Sequence, residues 1–154
     1  MSGSMSFDNH AEHTHTAMAD EISVRLVVTG FACDPDHITQ MLGIQPDVVW
    51  RIGDDLSFPS ERKRTDNGWT LESKVSNTVE LDAHVAAILR VIGNAKSHFK
   101  HLPPGSTISL SCGITVNQGP GGPSMVFSPQ MVAILAELGA EIGIDLYCLN
   151  CPEA

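Results

Sequence analysis

The chain of 154 residues carries 9 Lys plus Arg against 18 Asp plus Glu, a net charge of -9, with 42% hydrophobic residues. That length suits one domain and lets about two-thirds of the unfolded surface be buried, enough for a core without covalent staples. The acidic balance repels the phosphates of nucleic acid and favours a basic protein partner or a small polar ligand, and no apolar run approaches the ~20 residues of a membrane-spanning helix.

Residues 1–17 show neither the basic start and apolar stretch of a secretory signal nor a hydrophobic period. They are expected to form a disordered tail ahead of a single folded domain at 18–154, with Met18 an alternative start to Met1. The expected location is cytoplasmic, with Cys33, Cys112, Cys148 and Cys151 as reduced thiols. Ile22, Val24, Leu26 and Val28 alternate with Ser23, Arg25, Val27 and Thr29, the pattern of a strand buried on one face. Asp34 then suits an N-cap, with Pro35 at the first helical position, an inward stripe of Ile38, Met41 and Leu42, and Gly43 as the stop. A short strand is expected over 48–52, a polar loop over 54–67, and a second strand over 68–75.

The longest helix is expected over 79–101, its buried face marked by Leu81, Val85, Ile88, Leu89 and Ile92, with Gly93 and Asn94 weakening its middle. His98 and His101 then lie near its C-terminus, where the helix dipole favours them. Ile108, Leu110, Cys112, Ile114 and Val116 mark the cleanest strand. After a glycine- and proline-rich turn, Met125–Phe127 suggests a short strand, Ser128-Pro129 starts a third helix that Gly139 stops, and 141–149 is the last strand. The expected class is α+β: a mostly antiparallel sheet with helices on one face, ferredoxin-like β-α-β-β-α-β followed by an extra β-α-β unit. Six strands result.

Gly30-Phe31, Asp34-Pro35 with Ile38-Thr39, Leu42-Gly43-Ile44-Gln45-Pro46, Trp50 with Gly53-Asp54, Gly68-Trp69 and Ile144-Asp145-Leu146-Tyr147 follow one another in a familiar order. In this the chain resembles the bacterial family called domain of unknown function 4279, over roughly residues 22–148. The resemblance implies a compact α+β domain, usually alone in a small bacterial protein, and no activity to carry over.

The candidate binding residues are Trp50, Arg51, Asp54, Arg62, Arg64, Trp69, Asp145 and Tyr147. Both tryptophans bracket a loop that holds Arg51, Arg62, Lys63 and Arg64, four of the nine basic residues. Indole and guanidinium groups anchor recognition surfaces, and arginine can clamp a carboxylate or phosphate with two bonds. Against that, Asp54, Asp55, Glu61 and Asp66 nearly cancel the charge, and tryptophans also pack sheet edges. Asp145 and Tyr147 alternate with the apolar stripe Ile142, Ile144 and Leu146, so they are expected to face solvent or a partner, with Cys148 on the core side. The leading expectation is a non-enzymatic module binding a basic protein, of inhibitor or immunity type, or a small polar ligand, with no cofactor.

Two other classes of function compete with it. A small hydrolase or transferase would use Asp145, Tyr147 or a histidine in a pocket on the sheet, yet none of the familiar nucleophile, metal-protease or phosphate-loop motifs is present. A zinc-stabilised module would use Cys148 and Cys151, but a structural zinc needs four ligands, and the second pair would have to come from His98 and His101 or the tail histidines His10, His13 and His15. No metal site is expected on that basis.

Overall fold

A computed structural model describes residues 20–57, 61–77, 80–117 and 122–149. The expected tail with its histidines, Phe58 and Pro59 of the polar loop, Gly119 and Gly121 of the glycine-rich turn, and Cys151 lie outside these. The elements in chain order are β1 (Glu21–Thr29), α1 (Pro35–Leu42), β2 (Val48–Trp50), β3 (Gly68–Glu72), α2 (Leu81–Ile92), a 3-10 helical stretch (Gly93–His101), β4 (Thr107–Val116), α3 (Pro129–Leu138) and β5 (Glu141–Cys148). They build one α+β unit around a five-stranded open sheet of order β2-β3-β1-β4-β5. All neighbours pair antiparallel except β4 and β5, which run parallel.

The two proline-started helices follow local rules. Asp34 accepts from the main-chain N–H of Asp36 at 2.9 Å, and α1 ends at Gly43 with φ 66°. Ser128 Oγ accepts from Met131 N–H at 3.3 Å, and α3 ends at Gly139 with φ 68°. A left-handed residue at a helix stop is where glycine escapes the Cβ clash that other residues meet.

The buried face of the sheet follows from period two. Ile22, Val24, Leu26 and Val28 of β1 and Ile108, Leu110, Cys112 and Ile114 of β4 are all buried, as are Trp69 and Leu71 of β3. Phe31, Ile38 and Leu42, then Leu81, Val85, Ile88 and Ile92, then Leu135 and Leu138 close the same cluster from the helical side. Burial in that cluster pushes the Cys112 thiol up to about 11. The opposite, open face carries Arg25, Val27 and Thr29 of β1 and Ser109, Ser111 and Thr115 of β4, none of them fully buried.

Four expectations are corrected. Met125–Phe127 forms no strand; Met125 and Val126 are exposed, the run lies between Pro123 and Pro129, and β5 pairs directly with β4. The sheet therefore has five strands, and the last β-α-β unit reuses β4 rather than adding two strands. The long helix is broken at Gly93, whose φ of 44° and ψ of -120° no α-helix contains; residues 93–101 continue as 3-10 turns held by buried Phe99. His98 and His101 thus lie beyond the end of α2. The strand expected over 68–75, β3, stops at Glu72, because Lys74 adopts φ 53° and turns the chain away.

Candidate functional site

At the β2 edge, the predicted loop folds back on itself as a hairpin. Gly53 N–H donates to Arg64 O at 2.9 Å, Arg64 N–H to Asp54 O at 2.8 Å, and Leu56 N–H to Arg62 O at 2.9 Å. The exposed Arg51 guanidinium is engaged within the chain. Its Nε and Nη2 donate to the Asp34 carboxylate at 2.7 and 3.0 Å, and the Asp54 carboxylate accepts its main-chain N–H at 2.7 Å. The Arg51 hydrogen bond, with the Asp36 N–H second, holds the Asp34 carboxyl below its usual range. Asp34 therefore caps α1 and fastens it to the end of β2 at once.

Trp50 lies across Gly68, where a Cβ would come within 2.0 Å of the indole. Its Nε1 donates to Asp66 Oδ1 at 3.2 Å, and the Arg64 guanidinium stacks 4.4 Å from its ring centre. Lys63 pairs with Asp55 across the hairpin. Trp69 turns the other way: it is 0% exposed, in the core, with Nε1 donating to Thr39 Oγ1 at 3.1 Å. The two tryptophans bracket the loop in sequence but sit on opposite faces of the sheet. Only Trp50 reaches a surface.

The residue that organises this edge escaped the sequence reading. Buried Asn67 accepts from Ile52 N–H at 2.9 Å through Oδ1, while its Nδ2 donates to Phe31 O at 3.2 Å and Cys33 O at 2.9 Å. One amide thus ties the hairpin to the loop that feeds α1. Its partners lie far away in sequence, so no local signal marks it.

Asp145 and Tyr147 lie on β5, at the other end of the sheet. Four inter-strand spacings of about 4.8 Å separate that strand from β2, about 19 Å in all, so the eight candidate residues do not converge on one site. On β5 itself every residue is exposed. Ile142, Ile144 and Leu146 are 41%, 44% and 61% exposed, although their register partners Leu110, Cys112 and Ile114 on β4 are each 0% exposed. The apolar stripe has the expected alternation, but α3 leaves it uncovered. Cys148 is likewise exposed rather than a core thiol, and it is disulfide-bonded, whereas Cys33 and Cys112 are free. A disulfide sulfur is not the thiolate a zinc site requires. Among the described residues no group of three or more His, Cys, Asp or Glu side chains could hold a metal ion.

The two sheet edges differ in kind. β2 has three residues and then curls into the hairpin, which blunts it. β5 runs eight residues with no lysine, proline or bulge to deter pairing, and such edges are templates for another chain.

A buried imidazole lies behind the end of β3. His84 of α2 is 1% exposed, with Nδ1 2.6 Å from Ser73 Oγ. Burial lowers its pKa, the Ser76 main chain opposing in part. The charged groups nearby are Arg25, Glu72 and Lys74 from the sheet side and Glu80 and Asp82 from the start of its own helix. The folded state therefore takes the proton less readily than the unfolded chain. His84 contributes its full stability above about pH 6.5 and loses it as pH falls through that value, with a slope of at most about 1.4 kcal/mol per pH unit. Urea melts between about pH 7.5 and about pH 5.5 are expected to show this decline, and His84→Gln to flatten it; carboxylates such as Asp34 enter only below about pH 4. An unchanged slope in the variant would refute the assignment.

Fold and surface together define a small α+β domain with one blunted and one open sheet edge. The chain belongs to the family described as domain of unknown function (DUF4279), whose model matches residues 20–149. No curated protein and no solved structure matches the chain. No helix among the described residues is long and apolar enough to cross a membrane.

Proposed function

We propose that this protein is a binding module that takes an extended, basic segment of a partner protein as an added strand against β5. The observation that carries the reading is the uncovered stripe Ile142, Ile144 and Leu146 on a full-length edge strand. An added strand would pair with β5 along the edge that no other strand occupies among the described residues, and set its own apolar face beside that stripe. The other face of β5 presents Glu141, Asp145 and Tyr147, and among the described residues neither carboxylate makes an ion pair.

That charge selects the occupant. A second copy of this chain, paired on β5 with apolar faces matched, would set Glu141 and Asp145 on the same face as their own copies, and like charges opposed across strands are destabilising. A partner strand with Lys or Arg at alternate positions meets both carboxylates, and the net charge of -9 speeds its approach. The scaffold reading is ferredoxin-like, supported by the order β4-β1-β3-β2 with β5 appended. The inhibitor or immunity-type role in the cytoplasm is the biological form this proposal takes. The hydrolase or transferase reading has less support, since neither Asp145 nor Tyr147 lines the cavities of about 420 and 380 Å³ and only His84 of the groups it names lines the second.

The test uses a fluorescent peptide of alternating lysine and valine. Anisotropy is expected to show binding at low salt that weakens as salt rises, with slowed amide exchange along β5. Ile144→Lys is expected to weaken binding at least about tenfold, equivalent to about 1.4 kcal/mol, while Trp50→Ala leaves it unchanged. The opposite pattern, loss with Trp50→Ala and retention with Ile144→Lys, would move the site to the other edge.

A further inference from the structure

Gly143 lies in the middle of β5, where a glycine weakens the strand and often marks close approach by another chain. Apart from its chain neighbours, no described residue comes within 4 Å of a Cβ placed there. The register sets Gly143 beside Ser111 of β4, on the open face of the sheet. Glu141 and Asp145 flank it on that same face, two positions to either side.

The opposite edge of the open face shows what such a gap takes. Gly68 of β3 stands beside Thr29 on that face and pairs with Trp50 of the edge strand β2. The indole lies across it, so close that a Cβ at Gly68 would come within 2.0 Å of the ring. An aromatic side chain on an outer strand thus covers the glycine of the strand inside it, burying a ring face against bare main chain. At Gly68 the chain supplies its own ring. Beyond β5 the sheet has no further strand among the described residues to do the same for Gly143.

A second copy of the chain could bring a ring, but at a cost. The antiparallel register that puts its Tyr147 over Gly143 also sets Asp145 directly against its own copy. Like charges opposed across strands are destabilising, and a basic partner strand meets no such conflict.

We propose that Gly143 seats an aromatic side chain of the partner strand. The strand taken by β5 then reads basic, apolar, aromatic, apolar, basic over five residues, a pattern that rests on strand addition at β5. The ring lies over Gly143, the two basic residues face Glu141 and Asp145, and the two apolar residues fall on the side of Ile142 and Ile144.

The test sets two fluorescent peptides against the full chain, one with the core lysine-valine-phenylalanine-valine-lysine and one with leucine at the centre. The phenylalanine peptide is expected to bind about three- to fivefold more tightly, the size of an aromatic cross-strand contact. NMR of the isotopically labelled chain is expected to show the Gly143 α-protons moved upfield by ring current with that peptide alone. Gly143→Val, at an exposed position with room for a side chain, is expected to bring the two affinities within about twofold of each other. The ring-current shift needs no variant and decides the question should that protein unfold. Equal binding of the two peptides, an unmoved Gly143, or a preference that survives Gly143→Val would overturn the aromatic seat and leave strand addition standing. Binding of neither peptide would overturn strand addition, and the seat with it. Self-association of the free chain in sedimentation, abolished by Gly143→Val, would give the seat to Tyr147 of a second copy and overturn its assignment to a partner.

Discussion

Asn67→Ala is expected to cost about 3–5 kcal/mol of folding stability, read as a drop in urea midpoint with little change in slope. The side chain is small and removes little apolar contact, so a cavity is not the cause. What is lost is the partner of three main-chain groups, Ile52 N–H, Phe31 O and Cys33 O. Each buried group left without a partner costs roughly 1–3 kcal/mol, and water at the exposed Ile52 end recovers part of it. Asn67→Asp is expected to be no better, since a carboxylate cannot donate to the two carbonyls and places a charge in a buried position. A loss below about 1 kcal/mol would mean that solvent replaces the amide and that the hairpin is not held by it.

Trp69→Ala is expected to be as damaging, about 3–5 kcal/mol, but for the opposite reason: a large void opens beneath α1. Trp69→Phe restores most of the volume and leaves only Thr39 Oγ1 without its donor, so about 1–2 kcal/mol is expected. Trp50→Ala removes a half-buried ring stacked by Arg64 and should cost near 1 kcal/mol. Equal losses for the two tryptophans in thermal or chemical melts would show that the assignment of one to the core and the other to the surface is wrong.

These two sites also show what was legible from residue order. The helix boundaries at Asp34-Pro35 and Gly43, and at Ser128-Pro129 and Gly139, were legible because caps depend on neighbours within four positions. The buried stripes of β1 and β4 were legible for the same reason, since period two is local. The exposure of Ile142, Ile144 and Leu146 was not. Alternation tells which side of a strand is apolar but says nothing about whether a helix reaches far enough to cover it. Trp50 and Trp69 were joined by their shared loop, whereas the register Trp50↔Gly68 and Val28↔Trp69 assigns them to different faces. Asn67 works through residues some 34 to 36 positions away in the Phe31–Cys33 segment, beyond any motif's reach. His84 falls at helical spacing between Leu81 and Ile88, and the apolar stripe concealed it.

The place of β1 at the middle of the sheet has a consequence for biosynthesis. Its two partners are residues 68–72 and 107–115, so the strand synthesised earliest is flanked on both sides only after β4 has been translated. From Thr29 to Val116 the ribosome adds 87 residues (116 minus 29), which takes roughly 4–17 s at ordinary elongation rates. Throughout that interval the β4-facing edge of β1, with Ile22, Val24, Leu26 and Val28, waits without its partner strand on the nascent chain. A trigger-type chaperone that shields extended hydrophobic stretches is therefore expected to matter more to the yield of this protein than to its final stability.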